Sequence, residues 1–228
     1  MSMSMSMYIP ASFKEKRIEI MQALMRAHPL GLLVTYGDSG LQASPLPFLL
    51  YVDEGECGEY AECGKYGVLR AHMAKANPHW VALAGVSECL VVFQGAEGYV
   101  TPSWYPAKSE THKVVPTWNY ATVQARGKPS LVEDAQWLRR QLDDLTAVHE
   151  RPRPRPWSVS DAPAEFIATQ MQAIIGIEIP IQRLDGKWKM SQNKSAADRA
   201  GVVRGMRSET DPHRNGAVAE LIERGGEP

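Results

Sequence analysis

Hydrophobic positions along the chain fall into short blocks, and their spacing changes from block to block. Within residues 14–27 the apolar residues stand at Ile18, Met21, Leu24 and Met25. That spacing predicts a helix. His28-Pro29 ends it, because the residue before proline avoids the α region. Residues 31–36 are apolar and β-branched, Gly37-Asp38-Ser39-Gly40 carries turn chemistry, and residues 42–52 form a second extended run. The pair predicts a β-hairpin. Pro45 and Pro47 mark part of its second arm as an edge or a bulge. Residues 53–65 are polar and Gly-rich, and read as a loop.

Residues 66–72 read as a third strand and 78–83 as a short helix. Residues 89–95 (Cys-Leu-Val-Val-Phe-Gln-Gly) predict a buried strand, continued after a break by 98–101, and 113–126 hold another extended stretch. Residues 133–148 give the clearest helix, with Trp137, Leu138, Leu142, Leu145 and Val148 in one stripe. Arginine alternates with proline over 151–156, which predicts a polyproline II spacer. Residues 164–171 read as helix and 174–184 as a strand, with a turn at Asp185-Gly186. Residues 195–204 open with a capping box, Ser195 and Asp198, and Gly205 ends that helix. About six strands interrupted by single helices, without regular βαβ alternation, argue against a doubly wound parallel sheet. They predict a mainly β, α+β fold: an antiparallel barrel with peripheral helices.

Charge narrows the function classes. The 228 residues carry 25 Lys+Arg against 26 Asp+Glu, a formal net charge of -1. A protein whose whole surface clamps a phosphate backbone shows a basic excess or stripe. No apolar run approaches the ~18–20 residues that span a bilayer. The opening Met-Ser alternation lacks the basic and apolar regions of a signal peptide, so residues 1–6 read as a disordered leader. Cys57, Cys63 and Cys89 are an odd number with no disulfide framework, which points to a cytoplasmic protein. Cys57 and Cys63 are half of a metal site without a second pair.

Three segments are candidates for chemistry. In the first, a strand ends near His72, Asn77 suits an N-cap and Pro78 the first helical position. His72 and Lys75 add donors and charge beside a helix N-terminus, a combination suited to a phosphate. The same residues also suit a well-capped helix with a solvated lysine. The second is the aromatic pair Pro102-Ser103-Trp104-Tyr105 and Pro116-Thr117-Trp118-Asn119-Tyr120, which suits stacking on a planar ligand or packing an interface. The third is the stretch 187–194, where lysines flank Trp188 before a polar turn. No dinucleotide-binding glycine motif, Walker loop, nucleophile elbow or zinc-protease motif is present.

From Met7 to Asn193 the chain resembles the PaiB-type family of FMN-binding negative transcriptional regulators. The matching motifs are Tyr8-Ile-Pro10, Leu46-Pro47-Phe-Leu-Leu50, His72-Met-Ala-Lys75-Ala-Asn77, Val92-Phe-Gln-Gly95, Pro102-Ser-Trp-Tyr105, Val115-Pro-Thr-Trp-Asn-Tyr120 and Gly186-Lys-Trp-Lys-Met-Ser-Gln-Asn193. The resemblance implies an FMN-binding split β-barrel, dimeric, with peripheral helices. It makes 7–207 a single split-barrel domain with a helical insertion near 133–171, followed by a C-terminal helix or tail at 208–228. It implies that His72, Met73, Lys75 and Asn77 hold the FMN phosphate. Ala43, Ser44, Leu46 and Pro47 would lie along the isoalloxazine ring. Trp118, Asn119 and Gln192 would close the pocket from the second subunit. The chain departs from the pattern where histidines are common, at Pro45, Glu97 and Gln124.

The expected function is that of a cytoplasmic FMN-binding homodimer acting as a PaiB-like negative transcriptional regulator. One alternative is a flavin-dependent oxidoreductase for a small planar substrate, with Tyr105 and His112 as candidate proton carriers. Another is a haem-binding split barrel, for which His28, His79, His149 and His213 are the axial options. Direct DNA binding has weak support. The connection between helices at 195–204 and 214–223 is far longer than the turn of about 3–4 residues in a helix-turn-helix.

Overall fold

The structure is a computed structural model that describes residues 7–38, 40–52 and 64–225. Cys57, Cys63, the expected leader and most of the 53–65 loop lie outside the described residues. The strands are β1 (Lys14–Glu15), β2 (Leu30–Gly37), β3 (Gly40–Pro47), β4 (Leu49–Tyr51), β5 (Val68–Ala74), β6 (Cys89–Val100), β7 (Thr117–Gly127), β8 (Ser130–Val132), β9 (Ile174–Pro180) and β10 (Arg183–Lys189). The helices are α1 (Ile18–Ala27), α2 (His79–Leu83), α3 (Ala107–Thr111), α4 (Ala135–Glu150), α5 (Ala164–Gln172), α6 (Ala196–Arg207) and α7 (Gly216–Glu223). The fold is thus mixed α+β, and the strand pairs in register are antiparallel. No helix of the described residues is long and apolar enough to cross a membrane. The chain divides into two compact units.

One unit comprises Pro29–Val92 and Ala125–Leu184. Its β2–β3 hairpin pairs from Leu30↔Pro47 to Gly37↔Gly40, as the turn chemistry predicted. Gly40, at φ +84°, takes the left-handed conformation the turn needs. β2 also pairs with β6, through Leu32↔Val92, so β3 is the outer strand, where proline is tolerated. The second arm is shorter than expected. Phe48 is buried and its N–H turns to Pro29 O at 2.8 Å, which ends β3 and sends the chain into β4 of a second sheet.

That second sheet runs β4-β5-β9-β8. β5 and β9 pair from Val68↔Pro180 to Ala74↔Ile174. β9 is buried at five successive positions, so both faces are covered and the strict alternation of a half-exposed strand is absent. Leu69, Ala71, Met73, Ile175, Ile177 and Ile179 form the core with Trp137 and Leu138 of α4.

The other unit comprises Met1–His28, Phe93–Gln124 and Asp185–Pro228. Its strands run in the order β1-β10-β7-β6. Met21, Leu24 and Met25 make the buried stripe of α1, and α6 packs on α7 through Val202, Met206, Val218, Ala219 and Ile222.

Several boundaries differ from the expectations. Residues 14–15 pair with β10, and α1 begins only at Ile18, because Glu15 accepts the N–H groups of Lys16 and Arg17 at 2.8 Å and holds a turn there. β6 runs unbroken through Gly95. Asp185-Gly186 is not a turn but the middle of β10. A side chain at Gly186 would collide with Met21 Sδ at 2.6 Å, so the glycine admits α1. Likewise Gly205 lies inside α6, where a Cβ would meet the Trp104 ring at 2.3 Å. The Arg-Pro stretch is not extended at its start: Arg151 is helical and Arg153 N–H bonds Glu150 O at 2.9 Å.

Candidate functional site

The first predicted segment is organised around a buried histidine. His79, the first residue of α2, is 2% exposed. Its Nδ1 lies 2.8 Å from Ser44 Oγ on β3, and its Nε2 lies 2.7 Å from Thr35 Oγ1 on β2. Asn77 completes the arrangement: its Oδ1 accepts the His79 N–H at 3.0 Å, and its Nδ2 donates to Ser44 Oγ at 3.3 Å. Burial holds the imidazole below its usual pKa, so it is neutral near pH 7. The structure therefore brings Ser44 and Asn77 together. His79 has both ring nitrogens within hydrogen-bond distance of hydroxyl groups. The first N–H of α2 is accepted by Asn77.

The turn from β5 to α2 is fixed on several sides. Lys75 N–H donates to Ala173 O at 2.8 Å, Asn77 N–H to Ala74 O at 2.9 Å, and Trp80 Nε1–H to Lys75 O at 2.9 Å. The Lys75 side chain stands exposed above this turn, with Glu133 as a carboxylate neighbour 3.7 Å away. His72 is half-buried, and its Nδ1 lies 2.8 Å from Gln141 Oε1 on α4. The Gln141 Nε2 group is buried and has no acceptor among the described residues. Met73 and Leu46 point into the core. Ala43 is exposed and Pro47 half-buried on the outer strand.

Behind the site α4 presents a row of polar and aromatic groups one turn apart. Trp137 Nε1 donates to Glu178 Oε2 at 3.3 Å, Gln141 meets His72, and Asp144 Oδ2 accepts the Tyr51 hydroxyl at 2.7 Å. Glu178 forms a buried ion pair with Arg70 at 2.7 Å across β5–β9. Arg70 in turn lies over the Tyr51 ring, 4.6 Å from its centroid.

The remaining predicted residues, Trp118, Asn119 and Gln192, belong to the other unit. Asn119 is fully buried and its Nδ2 donates to Ser191 Oγ at 3.0 Å. Gln192 clamps the bend after β10, accepting Met190 N–H and donating to Trp188 O, both at 2.7 Å. These bonds hold Ser191 at φ 61°, a left-handed conformation rare outside glycine. Trp118 is half-exposed and its Nε1–H donates to Glu97. The glutamate that stands in a customary histidine position thus has a local partner. Lys189 donates to Thr117 Oγ1 and, at 2.8 Å, to Trp118 O. Burial, and then Lys187 and Lys194, hold its pKa below the usual lysine value.

Other candidates are less well placed. Tyr105 is 2% exposed, and burial raises its phenol pKa, so it stays protonated. His112 is exposed at the end of α3, and His213 packs on Tyr99, 4.8 Å between ring centroids. Among the described residues no group of His, Cys, Asp and Glu side chains is arranged for a metal ion. Sequence reasoning missed Thr35, Gln141 and the central role of His79. The available signals were a histidine directly after the Asn77-Pro78 cap and a glutamine one turn beyond Trp137 on the buried face of α4.

Residues 7–183 match the profile of a family described as "Putative FMN-binding domain". An uncharacterized protein of Emericella nidulans is 38% identical over 97% of this chain and 98% of its own length. The protease synthase and sporulation protein PAI 2 of Bacillus subtilis is 27% identical over 95% of this chain and 97% of its own. Among solved structures, a flavocytochrome of Azotobacter vinelandii superposes with a TM-score of 0.52 at 15% identity, covering 77% of this chain and 69% of that one. An FAD- and haem-binding protein of Mycobacterium smegmatis gives 0.51 at 17%, covering 77% and 73%.

Proposed function

The chain belongs to this PaiB-like FMN-binding domain family, and from that premise we propose that it binds FMN on the β3–α2 surface and acts as a homodimeric split-barrel regulator. The observation that carries the site is the fixed β5–α2 turn, in which Lys75 follows His72 and precedes Asn77 in the chain and keeps its side chain exposed. The donor set fits a phosphate monoester. Lys75 brings a charge, paired at the surface with Glu133 at 3.7 Å, and the buried Gln141 amide beside His72 has a donor with no acceptor among the described residues. Among the described residues the outer edge of β3, over Ala43, Ser44, Leu46 and Pro47, has no strand partner, and it is suited to the polar rim of a planar heterocycle. When bound, FMN supplies reversible electron transfer, and the protein supplies position and hydrogen bonds.

The homodimer has its own support. The outward face of the hairpin pairs Leu30 with Pro47, Leu32 with Pro45, Val34 with Ala43 and Tyr36 with Leu41. All eight are apolar, and Leu30, Tyr36 and Leu41 are 66–75% exposed. A contiguous apolar face of this kind marks an interface. A second copy, bringing its own Trp118, Asn119 and Gln192, is the occupant the PaiB-type resemblance implies.

In this reading residues 7–207 form the domain, 133–171 its helical insertion and 208–228 a tail, in a cytoplasmic protein. The negative-regulator role rests on the PaiB-type kinship. α6 and α7 are joined by the long segment from Ser208 to Asn215, so they are not a helix-turn-helix and repression by that device is not proposed.

Titration of the purified protein with FMN and with riboflavin, followed by quenching of flavin fluorescence, tests the site. FMN should bind the more tightly. Equal affinity would remove the phosphate contact, and no quenching by either would remove the flavin.

A further inference from the structure

We propose that the outer face of β1 and β10 binds a polyphosphate anion, free or carried on a nucleoside, through Lys14, Lys187, Lys189 and Lys194. The alternation of β10 sets this face. Leu184, Gly186 and Trp188 are buried, and Lys187 and Lys189 stand on the opposite side. β1 pairs with β10 at Lys14↔Lys187. Directly opposite residues of an antiparallel pair share a face, with Cα atoms about 4.5–5.5 Å apart. Two lysines therefore face each other across the strands, and Lys189 follows about 7 Å further along. Lys194 comes after the bend. Burial lowers the Lys189 pKa first, and both Lys187 and Lys194 are close enough to lower it further.

Like charges directly opposite in a sheet are destabilising. Among the described residues no carboxylate stands within ion-pair distance of any of the four lysines. The carboxylates near them in sequence are turned elsewhere. Glu15 is buried and pairs with Arg17 at 2.7 Å, Asp185 has a buried carboxylate oxygen, and Asp198 accepts the Ala107 N–H. The whole chain carries 26 Asp+Glu against 25 Lys+Arg, so the one-sided charge is local.

Neutral groups hold the ammonium groups instead. Lys189 donates to Thr117 Oγ1 and Trp118 O. Lys187 donates to Tyr8 O at 3.1 Å and lies over the Tyr8 and Tyr120 rings, 5.7 and 5.3 Å from their centroids. Lys194 lies over the Tyr105 ring at 4.9 Å. These contacts position the charges without cancelling them. An ammonium group has three N–H donors, so each of the four keeps at least one for a ligand.

The charge count decides the ligand class. A phosphate monoester brings about 1.5–2 negative charges, fewer than four ammonium groups balance. A diphosphate or triphosphate brings more, on linked groups that span neighbouring lysines. Lysine serves phosphate as a point charge, whereas planar carboxylates favour the fork of arginine. None of the four belongs to the FMN set around Lys75, which lies in the other unit.

The test titrates the full chain with tripolyphosphate, ATP, orthophosphate, adenosine and a single-stranded oligonucleotide by calorimetry, at low and high salt and without divalent cations. Tripolyphosphate and ATP should each saturate one site, more weakly at high salt. Orthophosphate and adenosine should bind about tenfold more weakly or less. ATP binding above tripolyphosphate identifies a nucleotide as the source, and equal binding identifies the phosphate chain alone. Lys187→Gln combined with Lys189→Gln should weaken both ligands about tenfold or more. Lys75→Ala should leave both unchanged, so failure of the flavin site does not imitate failure of this one. Lys14→Glu guards against a folding artefact. It turns an opposed pair of like charges into an opposite pair, so it should raise Tm and still weaken tripolyphosphate binding. The proposal is overturned by the absence of saturable polyphosphate binding, by binding that survives the double variant or Lys14→Glu, by a lowered Tm in Lys14→Glu, or by loss in Lys75→Ala. Tight binding of the oligonucleotide without tripolyphosphate binding overturns it as well, and assigns the face to nucleic acid.

Discussion

His79 Nδ1 and Ser44 Oγ stand 2.8 Å apart in the interior, and this contact ties the outer strand β3 to the helix that follows Lys75. With Thr35 on the other ring nitrogen, one imidazole fixes β2, β3 and α2 in register. The neutral ring satisfies both hydroxyls, since each hydroxyl donates or accepts as required. Protonation would leave the hydrogen bonds possible but place a charge in a buried site.

That geometry sets a pH dependence. Burial holds the His79 pKa below its ordinary 6.5 in the folded state. Below about pH 6.5 the unfolded chain therefore binds more protons than the folded one, and stability rises with pH through that range. The protein should be fully stable above this value and lose stability as the pH falls through it. Thermal unfolding of the protein and of His79→Asn between neutral pH and about pH 5 checks this. The variant should be less stable at neutral pH and show a flatter profile. An unchanged slope would assign the acid sensitivity to other groups.

The flavin phosphate prediction concerns Lys75. A charge-assisted hydrogen bond contributes about 1.5–3 kcal/mol, so Lys75→Ala should weaken FMN binding at least tenfold. Riboflavin, which has no phosphate, should bind both proteins equally. The FMN affinity of the parent should also fall with salt more steeply than that of the variant. A tenfold loss for both ligands would instead indicate that the β5–α2 turn had collapsed.

Parts of the local structure around this site were legible in the sequence. The Gly37–Gly40 turn, Asn77 as acceptor for the start of α2, and Trp137 with Leu138 on the buried face of α4 each involve residues close together in the chain, so spacing reports them. Pro78 precedes α2 rather than opening it, and Val148, expected in the same stripe as Trp137, is 47% exposed. Contacts at long separation were not legible. Gly186 reads as a turn because glycine usually serves turns, yet here it admits Met21 of α1. Gly205 reads as a helix end, yet it admits Trp104. The break at Phe48 follows from its hydrogen bond to Pro29, which no periodicity encodes. The pairing of His79 with Ser44 spans 35 residues, and only the fold brings the two together.

The buried pair of Arg70 and Glu178 gives a stability prediction. Both side chains are under a tenth exposed, and the carboxylate also accepts the Trp137 indole N–H. Removing one partner of a buried ion pair leaves the other charge uncompensated and costs about 3–5 kcal/mol. Glu178→Gln should lower the urea midpoint accordingly. Replacing both, as Arg70→Met with Glu178→Leu, should recover much of the loss, because two apolar groups leave no orphaned charge. If the double variant were less stable than the single one, the pair would be net stabilising in itself.

The last prediction concerns the hairpin face. Leu32 sits at the middle of β2, 41% exposed and opposite Pro45. Its side chain faces away from the core, so a charge there is tolerated by the isolated chain, in which it is solvated. In a homodimer the same charge would be buried against an apolar face without a partner, which is strongly unfavourable. Leu32→Lys should therefore halve the mass measured by sedimentation equilibrium while leaving the far-ultraviolet circular dichroism unchanged. FMN affinity should fall with it, because the half-exposed Trp118 of the second copy would be lost from the pocket. A monomeric parent would refute the dimer at once. A dimer that survives the substitution would move the interface to another face.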